Sequence, residues 1–465
     1  MGTLPKPLRY ALWTVVAIAA LPVALYLFAY VVNLRDRPPS AEALELAAAP
    51  APAPVDDAAN GYVYLLGFGA LRAADPAGVG ASRAEWIRKL AADYDVDPKS
   101  DPLPDTVVAI PPNPAPVAEV LKICETASAD CIAALDGAAD LATALADVRW
   151  RIARYQALLA HRAWREVTTN DVRGPLGPYA LLRDPRRLYW LDTWLLASAG
   201  DAAQVNARLE ADLAFWRMAL AEADSLFGKA VAARYVSDHF AWGNAILRRL
   251  PPERRADGVP AAWRRALTDA ERSMRRPFIG EWRYRDGSLR SIKATGLLFP
   301  LPKGTPDSRS ALDRLEIRLT QPLLQVQDLA NRDAAALLKL DALLRAPYTE
   351  LEAALARAPE VDAWDSGVLA VTYNVAGRVL VGAGRGQILA NAGAGVADLE
   401  GVRRAALMIA DLRGLGIPPQ LAGSMVPLAA VRNPYTGGPF DWNAASATVT
   451  FTGLEQGNAT YTFPY

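Results

Sequence analysis

Residues 10–32 form a run of 23 residues without a single charge, and nothing else in the chain constrains its fold as strongly. At about 1.5 Å per residue, a helix of this run is about 34 Å long. That is enough to cross a hydrocarbon core of about 30 Å with some tilt. Pro22 sits mid-run, which a membrane helix tolerates. Trp13, Tyr26 and Tyr30 lie toward the ends, where aromatic rings prefer the membrane interface. A signal peptide would have a shorter apolar core followed by a small-x-small cleavage site. Here the run is long and leads into Leu34-Arg35-Asp36-Arg37, so it reads as an uncleaved anchor. No later stretch stays apolar for 18 residues, which makes the expected topology single-pass.

Orientation follows from weaker signals. Lys6 and Arg9 precede the span, and Arg35 and Arg37 follow it with Asp36 between them, so loop charge barely decides. The cysteines add a vote. Cys124 and Cys131 would pair in an oxidising compartment and stay free in a reducing one. Seven residues of straight helix would hold them about 10 Å apart, beyond bonding reach. A disulfide therefore requires a turn around Thr126, Ala127 and Ser128, with Asp130 starting a new helix. On the chain-entropy account such a bond is worth about 2.5 kcal/mol. With the Pro/Ala-rich linker, the pair points to a cytoplasmic N-terminus and a periplasmic body on a bacterial inner membrane.

Hydrophobic residues make up 52% and charged residues 22%, enough apolar material for a large core. Fifty Lys and Arg balance fifty Asp and Glu, so the chain is not a general polyanion binder and nucleic acid is not an expected partner. The balance is uneven along the sequence. Residues 40–147 carry 17 acids against 6 bases, whereas residues 248–293 carry 13 bases against 6 acids. Either these regions face each other, or the basic stretch meets an anionic partner.

The expected architecture is mostly α: the transmembrane helix, then an irregular helical bundle, then a smaller α+β part ending in a β-hairpin. The divisions are a cytoplasmic N-terminus (1–9), the membrane helix (10–34), a Pro/Ala-rich linker (35–58), a helical domain (59–293) and the C-terminal part (294–465). Pro38-Pro39 and the Ala/Pro repeat of residues 47–54 predict an extended linker that holds the body off the bilayer. Residues 62–68 are a short apolar run, a strand or the start of a buried helix, and the proline-rich residues 103–116 are an extended crossing. Leu141, Leu145, Val148, Ile152, Tyr155 and Leu159 recur at spacings of three and four, one face of a helix. Gly174-Pro175-Leu176-Gly177-Pro178 breaks it, and Asp184-Pro185 is expected to cap the next helix, which stops at Gly200. Asp201 caps a further helix with Val205, Leu209, Leu213, Trp216 and Leu220 inside. Leu188-Tyr-Trp190 and Trp194 read as core. Later, a helix is expected over residues 334–358, a strand over 368–373, a flexible glycine-rich loop from Gly382 and a helix over 401–415. Residues 448–452 and 460–463 alternate as a hairpin, with Val449, Phe451, Tyr461 and Phe463 on one face.

No catalytic signature passes a geometric check. His161 and His239 are the only histidines, His-Glu-x-x-His is absent, and the cysteine pair supplies no further zinc ligands, so no metal is expected. Gly423-Ser424 lacks the rest of a nucleophile elbow. Gly382-Ala-Gly-Arg-Gly-Gln387 has Gln where a dinucleotide loop needs its third Gly, so no cofactor is expected. Glu166 with Asp171, or Asp362 with Asp365, can be drawn as the two carboxylates of a glycan hydrolase, although fifty acids supply such pairs by chance. Residues 432–442 read as two tight turns presenting Tyr435, Phe440 and Trp442, either a docking loop or a rigid turn feeding the hairpin.

Five segments in order carry a resemblance. They are Asn60-Gly-Tyr62 with Gly67-Phe68, Cys124 with Asp130-Cys131, Arg154-Tyr-Gln-Ala-Leu-Leu159, Tyr373-Asn-Val-Ala-Gly-Arg-Val-Leu380, and Asn433-Pro-Tyr-Thr-Gly-Gly-Pro-Phe440. Behind one membrane helix, this order resembles uncharacterised single-pass envelope proteins of Gram-negative bacteria. The last turn is also similar to turns in pseudopilin-like C-terminal regions, though the N-terminus lacks a prepilin cleavage motif. The expected role is therefore non-catalytic binding or scaffolding in the cell envelope, with an envelope protein or an anionic envelope component as partner. The alternatives are a carboxylate-dependent hydrolase of glycan or cell wall, and an accessory subunit of a secretion machine.

Overall fold

A computed structural model describes residues 6–92, 112–138, 140–295, 309–358, 367–381, 385–455 and 459–465. The first helix, α1 (Lys6–Val32), contains the apolar window Trp13–Val32, which is long and apolar enough to cross a membrane and is almost wholly uncovered by the rest of the chain. Then come α2 (Ala41–Ala47), α3 (Gly61–Leu66), α4 (Pro76–Ala92), α5 (Ala115–Ile123), α6 (Ala129–Gly137), α7 (Leu141–Leu159), α8 (Arg183–Ser198), α9 (Ala202–Glu222) and α10 (Leu226–Arg249). Two single turns, α11 (Arg255–Gly258) and α12 (Asp269–Arg272), lead to α13 (Arg275–Thr295), α14 (Ala311–Thr320), α15 (Val326–Leu344) and α16 (Leu351–Leu355). The chain ends with α17 (Val368–Thr372), α18 (Val375–Val381), α19 (Arg385–Gly414), α20 (Pro419–Met425) and strands β1 (Asp441–Asn443), β2 (Thr448–Thr452) and β3 (Thr460–Pro464).

The centre is a stack of α9, α10 and α19, with α10 packed against both others. Periodicity explains α7 and α9 directly: all six expected inner residues of α7 and all five of α9 are buried. Gly200, at φ +77°, ends α8, and the Asp201 side chain accepts from the Gln204 amide to start α9. α8 itself begins two residues earlier than Asp184-Pro185 suggests. A 3-10 turn (Tyr179–Leu182) feeds straight into Arg183, so Asp184 lies in the first turn rather than at the cap. The run 62–68 resolves as the helix α3 as far as Leu66, followed by a turn at Gly67 and Phe68. α3 touches α4 so closely that a Cβ on Gly67 would lie 1.9 Å from the Pro76 carbonyl oxygen, and one on Gly80 would lie 2.0 Å from that of Val63.

The C-terminal half departs further from the sequence reading. The helix expected over 334–358 is α15, which ends at Leu344. Pro347, without an amide hydrogen, then forces a 3-10 turn before α16. Residues 368–372 are helical, not a strand: among the described residues no sheet edge lies beside α1 for them to pair with, and a helix satisfies its own backbone. The expected glycine loop is helix from Arg385 onward. Small residues along α19 let neighbours approach on every side, and burial overrides glycine's poor propensity. The hairpin stands as expected, Val449 opposite Phe463 and Phe451 opposite Tyr461, with β1 added as a third antiparallel strand. Phe451 sits on Gly401 of α19, where a Cβ would lie 2.0 Å from its ring. Residue 293 falls within α13, and one apolar core runs from Ala43 to Phe463. Most of the proline-rich stretch 103–116, the Asp362/Asp365 pair and the hairpin's Gly/Asn turn lie outside the described residues.

Candidate functional site

The linker does not hold the body away from α1. At the exit of α1, Asn33 is buried. Its amide donates to Thr372 O (2.8 Å), and its Oδ1 accepts from the Asn374 amide (2.7 Å). Gln325 donates to Asn33 O (2.6 Å), and Asn374 donates to Gln325 O and Asp328, both at 2.9 Å. Asp36 then accepts from the amides of Gln327 and Asp328 at the start of α15, where a carboxylate also suits the helix dipole. Arg37 pairs with Asp328, Ser40 donates to Asn331, and α2 buries Ala43 and Leu46 against the body. The linker is not free along its whole length: residues 33–49 are fastened to α13, α15 and α17, because their polar groups match helix ends on the body, whereas the Ala/Pro stretch 50–55 is largely exposed and without regular structure, as the sequence predicts.

A second centre lies between α9 and α10. Glu166 follows Trp164, whose ring packs with Tyr62 (5.5 Å between centroids) and Tyr179 (6.2 Å). Gly228 makes room for the carboxylate: a Cβ there would lie 2.0 Å from Glu166 Oε1 and 3.0 Å from Tyr179 Oη. Both of these oxygens, and Trp164 Nε1, are buried without a hydrogen-bond partner. Burial pushes the Glu166 carboxyl up to about 7, opposed by its bond to Ser225 and reinforced by the charge of Asp224. Burial also lifts Asp224 to about 6, against the pull of Arg165. Asp224 is held by Arg165 (3.2 Å) and Arg276 (2.7 Å) and accepts from the Glu166 amide (3.3 Å). Of the sequence-suggested pair, Asp171 is taken up by Arg173 (2.8 Å) and Thr169, so Asp224 is the acid that bears on Glu166. The sequence offered no signal for this, since 58 positions separate the two.

A third polar cluster is closed on itself. Asp212, fully buried, accepts from Tyr155 (2.6 Å), Arg186 (3.1 Å) and His239 Nδ1 (3.0 Å). Trp263 Nε1 donates to His239 Nε2 (2.9 Å), which fixes the Nδ1-protonated neutral tautomer. Burial lowers the His239 pKa, and Trp216 donates to Tyr155 (2.8 Å). Every member has a partner and none faces solvent, so this arrangement fastens α7, α8, α9 and α10 rather than meeting a substrate.

An open cleft of ≈ 460 Å³ lies between α12 and α15, lined by Asp269, Arg272, Ser273, Met274, Asp341 and Arg345. Arg272 stacks over Tyr348 at 4.3 Å, and Asp341 pairs with Arg345 at 2.6 Å while its buried Oδ1 has no hydrogen-bond partner. Among the described residues, the charged regions seen in the sequence meet where Arg249 pairs with Asp136 and Arg275 with Glu45. Other bases of that stretch find carboxylates elsewhere, such as Arg264 with Asp411 and Arg285 with Asp333. Phe440 is buried, Tyr435 donates to the buried Asp398 (2.6 Å), and Trp442 packs edge-on to Tyr465. These three rings thus serve the turn that carries the sheet. The sulfurs of Cys124 and Cys131 lie at 2.06 Å across a turn, with α6 capped by Ser128. Among the described residues no group of three His, Cys, Asp or Glu could hold a metal ion. Searches of family models, curated proteins and solved structures each found no match.

Proposed function

We propose that the chain is a single-pass protein of the bacterial inner membrane, with its N-terminus cytoplasmic and its body periplasmic, acting as a non-catalytic binding platform in the envelope. One observation carries the reading: the exit of α1 is fastened to the body through Asn33, Gln325, Asn374, Asp36 and Asp328. A body mounted this way presents its faces to the membrane and to partners in one orientation, which a scaffold requires. The cysteine pair supports an oxidising compartment. The cleft between Arg272 and Asp341, with both signs of charge, is the surface on which a polar segment of an envelope protein is best received.

The test is photo-crosslinking in cells, with the photoreactive residue at Arg345 beside the cleft and, as control, at Leu176 on the far loop. A reproducible envelope adduct from position 345 alone is expected. Equal or absent adducts at both positions refute the platform reading.

A second reading, a hydrolase acting on glycan or cell wall, is favoured by Glu166, whose raised pKa and unpartnered Oε1 suit a general acid. Glu166→Gln that still complements a deletion strain excludes it.

A further inference from the structure

Among the described residues, several large exposed apolar side chains belong to elements near the exit of α1. In α14, Leu312, Leu315 and Leu319 fall on one helical face and are 72%, 51% and 42% exposed, and no residue of that helix is buried. Leu369 of α17 (66%) and Val379 and Leu380 of α18 (80% and 52%) belong to the same zone. These elements lie at the exit of α1. α17 and the turn Gln321–Leu323 pack against α1, α18 packs against that turn, and α14 runs directly into it. Exposed apolar side chains gathered on neighbouring elements mark a binding face.

The depth of the contact names the occupant. Ala29 is buried and Tyr26 and Val32 are half-buried, although all three belong to the apolar window that ends at Val32. Protein therefore covers α1 for about 9 Å on the apolar side of that end, at about 1.5 Å per residue. Amphipathic helices that lie in a membrane interface bury their apolar face about 5–10 Å deep. The other side of α14 carries Arg314 and Arg318, placed to meet lipid headgroups.

We infer that α14, α17 and α18 form a lipid-binding collar that enters the leaflet around the exit of α1, so the body rests in the bilayer surface as well as being anchored through it. This rests on the reading of α1 as a membrane span. The collar is the second attachment point and fixes the tilt of the body.

The experiment uses the full chain in nanodiscs of phosphatidylethanolamine and phosphatidylglycerol. Single cysteines are introduced by Leu315→Cys, Val379→Cys, Leu21→Cys and Leu176→Cys and labelled, without reductant, with an environment-sensitive fluorophore. All four positions are exposed, so folding is not at risk. Expected are blue-shifted emission and several-fold quenching by brominated lipid at 315, 379 and 21, with none at 176. If 21 is quenched but 315 and 379 emit like 176, the collar is refuted while the span stands. Blue-shifted labels at 315 and 379 without lipid quenching refute it in favour of a protein partner. If 21 also escapes quenching, the span reading falls and the collar with it.

Discussion

Replacing Glu166 with Gln should stabilise this protein at neutral and alkaline pH, and the size follows from the burial of one oxygen. The carboxyl sits at about 7 in the fold instead of its ordinary 4.5, chiefly because burial penalises the charge. Between those values the folded state keeps a proton that the unfolded chain has released. Stability therefore falls as pH rises through this window, and the loss is complete above about 7. The gap corresponds to about 3 kcal/mol against the charged form. Gln is neutral throughout and lacks that penalty, but it places an amide group where Oε1 already has no partner, at a cost of about 1 kcal/mol. The net expectation is no gain at pH 4.5 and about 2 kcal/mol by pH 8. Asp224 titrates in the same range and its charge acts on Glu166, so the difference between the two curves reports Glu166 together with its coupling to Asp224. The assay is the midpoint of urea unfolding, followed by tryptophan fluorescence in detergent at four pH values from 4.5 to 8. Parallel curves for parent and variant, or a variant that is weaker at pH 8, would refute the reasoning.

Other expectations are as direct. Asp212→Asn leaves the buried Arg186 with only the more distant Asp238 at 3.8 Å and should cost about 3–5 kcal/mol in the same unfolding assay. A loss under 1 kcal/mol would show that the cluster is not the fastener described. The double change Cys124→Ser with Cys131→Ser should cost about 2.5 kcal/mol, and native protein should take up no thiol reagent until it is reduced. Gly401→Val drives a side chain into the ring of Phe451, and overpacking of at least 1–3 kcal/mol should lift the sheet from α19. Faster amide exchange in β2 and β3, with α9 and α10 unchanged, would report it.

The sequence was most legible where one physical rule acted alone. Four-three spacing placed the inner faces of α7 and α9, Gly200 and Asp201 marked a stop and a start, and strict alternation paired Val449 with Phe463. It misled where tertiary contact overrides a local signal. α19 is glycine-rich yet helical because neighbours pack into the space its small residues leave. Residues 368–372 read as a strand by composition, but among the described residues they have no strand partner beside α1. The linker read as free because its contacts with Asn331, Asp328 and Thr372 come from positions about 300 residues away. Glu166 was visible as one acid among fifty. Its neighbour Asp224 and the burial that sets its pKa exist only in the fold.

The rigid seating of the body on α1 is the central claim, and one distance measurement tests it. Spin labels are placed on exposed positions by Leu25→Cys in α1 and Ala207→Cys in α9, and the full chain is put into nanodiscs for double electron–electron resonance. The account predicts a single narrow distance distribution, which broadens when Asn33→Ala removes the amide that holds Thr372 and Asn374. A broad distribution in the parent protein, unchanged by Asn33→Ala, would mean that the body swings on a free tether and that the mount does not exist.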